Sequence, residues 1–344
     1  MPSFGKPNPP LNYSLAAEKR AITRWFTHRE VPEKQDGKLL LASWNIANLG
    51  EQKRDDKDLK LIAHLMSRFD LIAVQEIKDN LDHFSKVVDH MDGNYEWVIN
   101  DTGGNNERLG YVYNTDKVHL GRLFAEIAIA KKDFIKHDVI VSYTKNRKKL
   151  VEVYFQHVFT PFDRNPFIGT FIANNLSFTL VNVHLYFGGF KNAAKIEERA
   201  KYARRVLEIL MLSKWANKRL KGKNTYDKDI ILLGDMNIPK MDDNEAAFRA
   251  LKKSGLEPKD YYTKTGGSNL SGSKTYDQMA ITEGPIKDKL MTYDVFDFDN
   301  AIFSNKWDEL VAEHGEKKAR SKYNAYVKFY VSDHRPLWMQ IDIS

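Results

Sequence analysis

The chain has 344 residues, 42% of them hydrophobic, ample for one large core, and its 53 Lys and Arg against 46 Asp and Glu give a formal net charge of +7 that favours polyanions at long range. The absence of cysteine excludes disulfides, zinc–thiolate sites and thiol nucleophiles. The N-terminal stretch has no basic segment followed by an apolar one, and no apolar run approaches a membrane span, so the expectation is a cytoplasmic monomer with no obligate protein partner.

Residues 1–37 are polar and proline-bearing, with a helix expected over Ser14–Thr27, and read as an extension packing on a main domain that spans 38–344. Leu39–Ser43 is an apolar run that opens into Trp44-Asn45-Ile46-Ala47-Asn48, the pattern of a strand covered on both faces and ending in polar groups. Leu59, Ile62, Leu65 and Met66 fall at helical spacing. Leu71–Val74 is a second buried strand and runs straight into Gln75-Glu76. A helix with Leu81, Phe84, Val88 and Met91 on one face follows, then a strand over Tyr95–Asn100, and Glu107-Arg108 just before a strand over Leu109–Asn114.

The stretch 131–150 is basic and interleaved with aromatics around a short strand-like core at Val139–Val141; it reads as a solvated face, and a loop lying along a phosphate backbone has the same composition. Phe167–Ala173 and Phe178–Leu185 pair across Asn174-Asn175, and the second of them ends in Val183-His184. Lys191–Leu220 is the longest helical pattern. In Asp229–Ile238 an aliphatic run stops at Gly234-Asp235-Met236-Asn237, and strand alternation sends Asp235 and Asn237 to the same side. A helix is expected around Asn244–Lys253, then a Gly/Ser-rich loop, Gly266–Lys274, that runs into Tyr276-Asp277. A basic, aromatic segment, Lys317–Tyr330, precedes a last strand from Ser332-Asp333-His334-Arg335-Pro336 to Ile341. With no internal repeat and no convincing linker, one domain is expected.

The strand ends collect Asn45, Glu76, His184, Asp235, Asn237, Asp277, Asp333 and His334. If they meet at one rim, carboxylates, amides and imidazoles share a site without a thiol, and such an oxygen-rich set suits Mg²⁺, Mn²⁺ or Ca²⁺ rather than zinc. Two histidines beside a hard cation supply what phosphate-ester hydrolysis needs: one group for the attacking water and one for the leaving oxygen. Asp277 and Glu107 are available to set their tautomers. Any one of these residues, taken alone, reads as an ordinary capped or satisfied polar group. Five strand ends finishing in the same kinds of group do not.

The motifs SWNIANL, LIAVQEI, NVHL, GDMN, YDQMAI and SDHRP, in this order, resemble the endonuclease/exonuclease/phosphatase superfamily with its DNase I-like fold, over roughly residues 38–344. The resemblance implies a four-layered α/β-sandwich, two packed mixed β-sheets flanked by helices. It implies a Mg²⁺- or Mn²⁺-dependent phosphodiesterase, with Ca²⁺ as a further fit, acting on DNA with little sequence preference. Position by position, Glu76 resembles the principal metal carboxylate, with Asn45, Asp333 and Asp235 in the metal's surroundings. His334 with Asp277 resembles the dyad that works on the nucleophilic water. Asp235 and Asn237 resemble the groups that hold the phosphate and the reacting oxygens, and His184 with Glu107 resembles the second catalytic imidazole and its partner. Arg164, Tyr276 and Arg108 resemble phosphate contacts of DNase I-like nucleases. Unlike secreted DNase I, the chain has no disulfides, and it adds the N-terminal extension and the basic stretch. The alternative activity is that of a phosphatase or phosphodiesterase acting on a phospholipid, inositol phosphate or other small phosphoester. A degenerate, purely binding member of the superfamily would have lost catalytic positions, and none is missing here.

Overall fold

Aliphatic runs without a polar face can be buried only between two layers, and this is where the chain puts them. The computed structural model describes residues 3–145, 149–188 and 196–344. Along these, the strands are β1 (Lys38–Leu49), β2 (Leu71–Lys78), β3 (Tyr95–Ile99), β4 (Glu107–Asn114), β5 (His119–Glu126), β6 (Lys136–Lys145), β7 (Lys149–Val158), β8 (Phe167–Ala173), β9 (Leu176–His184), β10 (Ile230–Asp235), β11 (Leu256–Pro258), β12 (Asp277–Thr282), β13 (Leu290–Val295) and β14 (Leu337–Asp342). The helices are α1 (Leu15–His28), α2 (Asp56–Met66), α3 (Asp82–Asp89), α4 (Ile196–Lys221), α5 (Ala246–Lys252), the single turns α6 (Tyr262–Thr265) and α7 (Pro285–Asp288), α8 (Ser304–His314) and α9 (Glu316–Tyr330).

One six-stranded sheet has the order β13-β14-β1-β2-β4-β3 and the other β11-β12-β10-β9-β8-β5. Each is mixed: β1 runs parallel to β2 and β9 parallel to β10, with antiparallel partners around them. Leu39, Leu41, Leu71, Leu180, Ile231, Leu233 and Met339 fill the space between the sheets. The outer face of the first sheet packs on α1, α2, α3 and α9 through residues such as Ile22, Ile62, Phe84 and Tyr323. The outer face of the second packs on α4 and α5 through Val181, Leu207, Leu232 and Phe248. This is the four-layered sandwich expected from the sequence.

A buried polar bridge fixes one sheet over the other. Gln75 Nε2 donates to Asn182 Oδ1 at 2.7 Å, and Asn182 Nδ2 donates to the Val74 and Gly110 carbonyls at 3.1 and 2.9 Å. Buried amides are costly unless paired, so these bonds across the sheet interface favour one alignment of the two rims.

Residues before β1 lie against the first sheet's helices: Ser14 caps α1, Phe26 stacks on Phe296 at 4.2 Å, and the Tyr326 hydroxyl donates to the Pro9 carbonyl. Phe4 N–H donates to Gln52 Oε1 at 2.7 Å and its carbonyl accepts from Gln52 Nε2. Among the described residues no helix is long and apolar enough to cross a membrane.

Two local readings change. The basic stretch 131–150 is largely the first strand of a long hairpin, β6 with β7, pairing His137 with His157 and Ile140 with Tyr154. Its partner β7 carries Lys149, Glu152, Gln156 and His157 among its apolar residues and so shows no uninterrupted aliphatic run. Residues 191–195 of the longest helical pattern and residues 146–148 of the basic stretch lie outside the described residues. The last strand starts at Leu337, not Ser332, and Ser332–Pro336 is an irregular segment in which His334 makes an isolated antiparallel bridge with Asn269.

Candidate active site

Strand register brings the expected residues together. Asp235 at the end of β10 lies directly between His184 on β9 and Asp277 on β12, because both are its register partners. Side chains opposite one another on adjacent strands share a face. From the other sheet, Asn45 on β1 and Glu76 on β2 reach the same rim, after irregularities between Asn45 and Leu49 and between Val74 and Ile77. These irregularities have a backbone signature: Asn48, Glu76 and Asn237 have φ of 51°, 61° and 53°. Left-handed backbone is unfavourable for a residue such as Glu, and concentrating it at three strand ends aims side chains that a regular ladder would send elsewhere. Gly234 completes the turn, since a Cβ there would lie 2.1 Å from the Val183 carbonyl oxygen.

Asp235 is the centre of the constellation. Its Oδ2 lies 3.5 Å from His184 Nε2, 3.7 Å from His334 Nε2 and 3.1 Å from Asn45 Nδ2, while Oδ1 accepts from Asn237 N–H at 3.0 Å. Each imidazole is backed on its other nitrogen: His334 Nδ1 lies 2.8 Å from Asp277 Oδ2, and His184 Nδ1 lies 3.0 Å from Glu107 Oε2. The carboxylates fix ring orientation and tautomer. Burial opposes a charge on His334, but Asp277 and Asp235 outweigh it and raise its proton affinity well above the ordinary histidine value. Burial likewise resists ionisation of Asp235, and the two imidazoles overcome it and lower its pKa. Asp333 is raised by burial and by the nearby Glu76 and Asp235.

Asn45 Nδ2 donates to Glu76 Oε1 at 3.0 Å, and Asn48 N–H donates to Glu76 Oε2 at 2.9 Å. Asn45 Oδ1 is buried with no hydrogen-bond partner beside Glu76. An orphaned buried amide oxygen next to a carboxylate, with Asp333 close by, is a hard-oxygen set that fits Mg²⁺ or Mn²⁺. Two other groups hold three ligand atoms within 4.8 Å of one another, Glu76 with Glu107 and His184, and Asp235 with Asp277 and His334. In both, the histidine Nδ1 faces its backing carboxylate and Nε2 is turned toward Asp235 Oδ2.

Two expected phosphate contacts are corrected. Arg164 is 3% exposed and its guanidinium is engaged within the fold: its Nε donates to the His184 carbonyl at 2.8 Å, Nη2 donates to the Leu185 carbonyl at 3.2 Å, and Nη1 lies 3.3 Å from Glu107 Oε2. It holds the His184 backbone and the His184 partner rather than substrate. Arg108, next to Glu107 on β4, points to the opposite side by strand alternation and pairs with Asp79 at 2.7 Å. Tyr276 does stand at the mouth of the site, half-buried, its ring centroid 6.2 Å from that of His334. Asn237 Nδ2 donates to the Leu185 carbonyl, and the Asn237 carbonyl accepts from Arg205.

Sequence reading missed a supporting layer. Lys78 Nζ lies 3.0 Å from Glu107 Oε1, so Glu107 faces Lys78, Arg164 and His184 and its pKa is lowered despite the opposing effect of burial. Its signal was available, since Lys78 follows Glu76 by two residues on one strand. Glu208 on α4 is fully buried; its Oε1 accepts from Asp163 N–H and its Oε2 from Tyr186 N–H, tying together the two loops that carry Arg164 and follow His184. Burial pushes its pKa up to about 7. An acid inside the apolar run Val206–Leu212 was the sign of it. Ser332 Oγ donates to the Asn45 carbonyl at 2.7 Å and accepts from His334 N–H at 3.1 Å, tying the turn before β14 to its neighbour β1 in the first sheet.

No protein-family model matches the chain, and no curated protein matches it in sequence. Solved structures do. A humanised TDP2 of D. rerio carrying 14 mutations is 11% identical, with 89% of this chain and 99% of that chain covered at a TM-score of 0.51. The chain has the DNase I-like fold, a four-layered α/β-sandwich. Two proteins from Bacteroides thetaiotaomicron are also similar. One is an endonuclease/exonuclease/phosphatase family protein at 15% identity, with 88% of this chain and 94% of that chain covered at a TM-score of 0.49. The other is a mannosyl-6-phosphatase at 16% identity, with 88% and 98% covered at 0.48. Within this fold, the residues assembled above occupy the rim where both sheets end.

Proposed function

We propose that this protein is a divalent-metal-dependent phosphoesterase that hydrolyses phosphodiester bonds in DNA. The observation that carries the reading is a pair of buried, carboxylate-backed imidazoles converging on one Asp235 oxygen beside Glu76 and Asn45. A Mg²⁺ or Mn²⁺ ion held by Glu76 and Asn45, with Asp333 near, would polarise a phosphoryl oxygen and offset the high proton affinity of His334. His334 then takes the proton of an attacking water, and Asp277 stabilises the imidazolium that forms. His184, oriented by Glu107, serves the leaving oxygen. Asn237 and Asp235 align the reacting groups between the two rings. Tyr276 contributes a phosphate contact at the mouth. The net charge of +7 supports a polyanionic substrate.

The alternative, a small phosphoester, is favoured by one feature. A cavity of about 940 Å³ adjoins the segment after Asn237 and is rimmed by Asp242, Asp243, Glu257, Asp260 and Glu283 against Lys240 and Lys252, a poor surface for an extended polyanion. A panel of plasmid, linear duplex, abasic duplex, RNA and inositol phosphates under Mg²⁺ and Mn²⁺ separates the two readings. Chelator-sensitive nicking of plasmid is expected; release of phosphate from inositol phosphates without any nucleic-acid cleavage overturns the DNA reading.

A further inference from the structure

Phe187 is a large apolar side chain that the fold leaves 53% exposed at the edge of the site. It comes three residues after His184, and the backbone leading to it is firmly held. Leu185 N–H donates to the Asp235 carbonyl, the Leu185 carbonyl accepts from Asn237 Nδ2, and Tyr186 N–H donates to Glu208. A phenyl ring forgoes burial here although the loop that carries it is built into the active site.

The ring has a defined neighbour. Phe187 and Tyr276 stand edge to face, with centroids 6.4 Å apart and planes at 86°. Tyr276 in turn lies 6.2 Å from the His334 ring, at 40°. Three rings therefore step outward from the proton-transfer centre to solvent. A perpendicular pair forms an apolar corner with ring faces available to a planar group.

We propose that Phe187 and Tyr276 form a shelf on which an unpaired nucleobase, one sugar away from the scissile phosphodiester, stacks, and that the protein therefore prefers single-stranded nucleic acid. The inference rests on the phosphodiesterase reading of the site. Every base has a π-face, so such a shelf selects for the presence of a base and not for its identity. A duplex hides both faces of each base against its neighbours, and using the shelf then requires unstacking. An aliphatic leaving group gains contact with the corner but no stacking.

The test uses a single-stranded oligonucleotide with one hydrolysable phosphodiester. It is compared with the same molecule lacking the base on one flank, then on the other, in Mn²⁺. The readout is the ratio of kcat/KM with and without the base, taken within each protein variant so that the amount of active protein cancels. For the wild type, the base on one flank is expected to raise kcat/KM about tenfold or more, the scale of one base–aromatic stack. Phe187→Ala should bring that ratio close to one, and Phe187→Trp should keep it. A wild-type ratio near one on both flanks, a ratio unchanged in Phe187→Ala, or equal cleavage of the matching duplex overturns the shelf alone. Failure of the wild type to cleave any of these strands, by a preparation that hydrolyses another phosphoester, removes the phosphodiesterase reading and the shelf with it.

Discussion

The two imidazoles of the site are backed by carboxylates at similar distances, 2.8 and 3.0 Å, yet the two carboxylates live in opposite surroundings. Glu107 faces Lys78 and Arg164 as well as His184, and its pKa falls. Asp277 is buried between Asp235 and His334; its backbone N–H is held by Ser268, and burial with the Asp235 charge raises its pKa against the pull of His334. The His184 arm is thus held by a charge network reaching outward to α4. The His334 arm is held by hydrogen bonds that run from the Ser332–Pro336 turn beside the first sheet to Asp277 on β12 of the second and on to Ser268. Equal geometry at the ring does not mean equal support behind it.

Removing either ring tests what they share. His184→Ala and His334→Ala should each lower kcat by a factor of about 10² to 10⁴, as loss of a general acid or base does, without loss of fold. A pH–rate profile for each variant sharpens the comparison, because the limb belonging to the missing ring should vanish.

Removing the backing carboxylates should split the two arms. Glu107→Gln leaves buried Lys78 with only the half-exposed Glu51 at 3.8 Å and Arg164 with only Asp163 at 3.3 Å, and should cost about 3 kcal/mol in denaturant unfolding. Asp277→Asn removes a charge whose burial is already unfavourable and leaves Asp235 facing the imidazole, and should cost about 1–2 kcal/mol, less than Glu107→Gln, while activity falls. Equal destabilisation by the two variants would dissolve the distinction. Their pH dependence differs in sign. Glu107, with a lowered pKa, contributes stability that is present above its unfolded value of about 4.5 and is lost as the pH falls through its folded one.

Glu208, behind the His184 arm, has the opposite linkage. Its pKa is raised from 4.5 to about 7 by burial, so its contribution is fully present below about pH 4.5 and is lost as the pH rises through about 7. Unfolding free energy measured from pH 5 to pH 8 should carry this loss, on the order of 2–3 kcal/mol, and Glu208→Gln should flatten it. The smallest effect is expected from Arg108→Ala, whose partner Asp79 is 73% exposed in its side chain. A surface pair of this kind is worth under about 1 kcal/mol, and kcat should be unchanged.

Much of the rim was legible from residues because buried strands announce themselves as uninterrupted aliphatic runs, and the residue that ends such a run stands at the sheet edge. Asn45, Glu76, His184 and Asp235 were all found in this way. The misread residues are those whose direction depends on what lies underneath. Arg164 has a composition suited to phosphate, and only the carbonyls of His184 and Leu185 show that it points inward. Arg108 was one position out of phase with Glu107, a distinction visible only once both were placed on one strand. Glu208 makes its contacts across 45 and 22 positions of chain, to Asp163 and Tyr186, and no local pattern encodes them.

The most direct test of the central claim is a Mn²⁺ titration of supercoiled-plasmid nicking, run side by side on the wild type and Glu76→Gln. The expected result is saturable, chelator-reversible nicking by the wild type. For Glu76→Gln, whose melting temperature should remain near that of the wild type, the titration should shift to much higher Mn²⁺. Identical titrations for the two proteins, or nicking that persists in chelator, would contradict the assignment of this rim as a metal-dependent phosphodiesterase site.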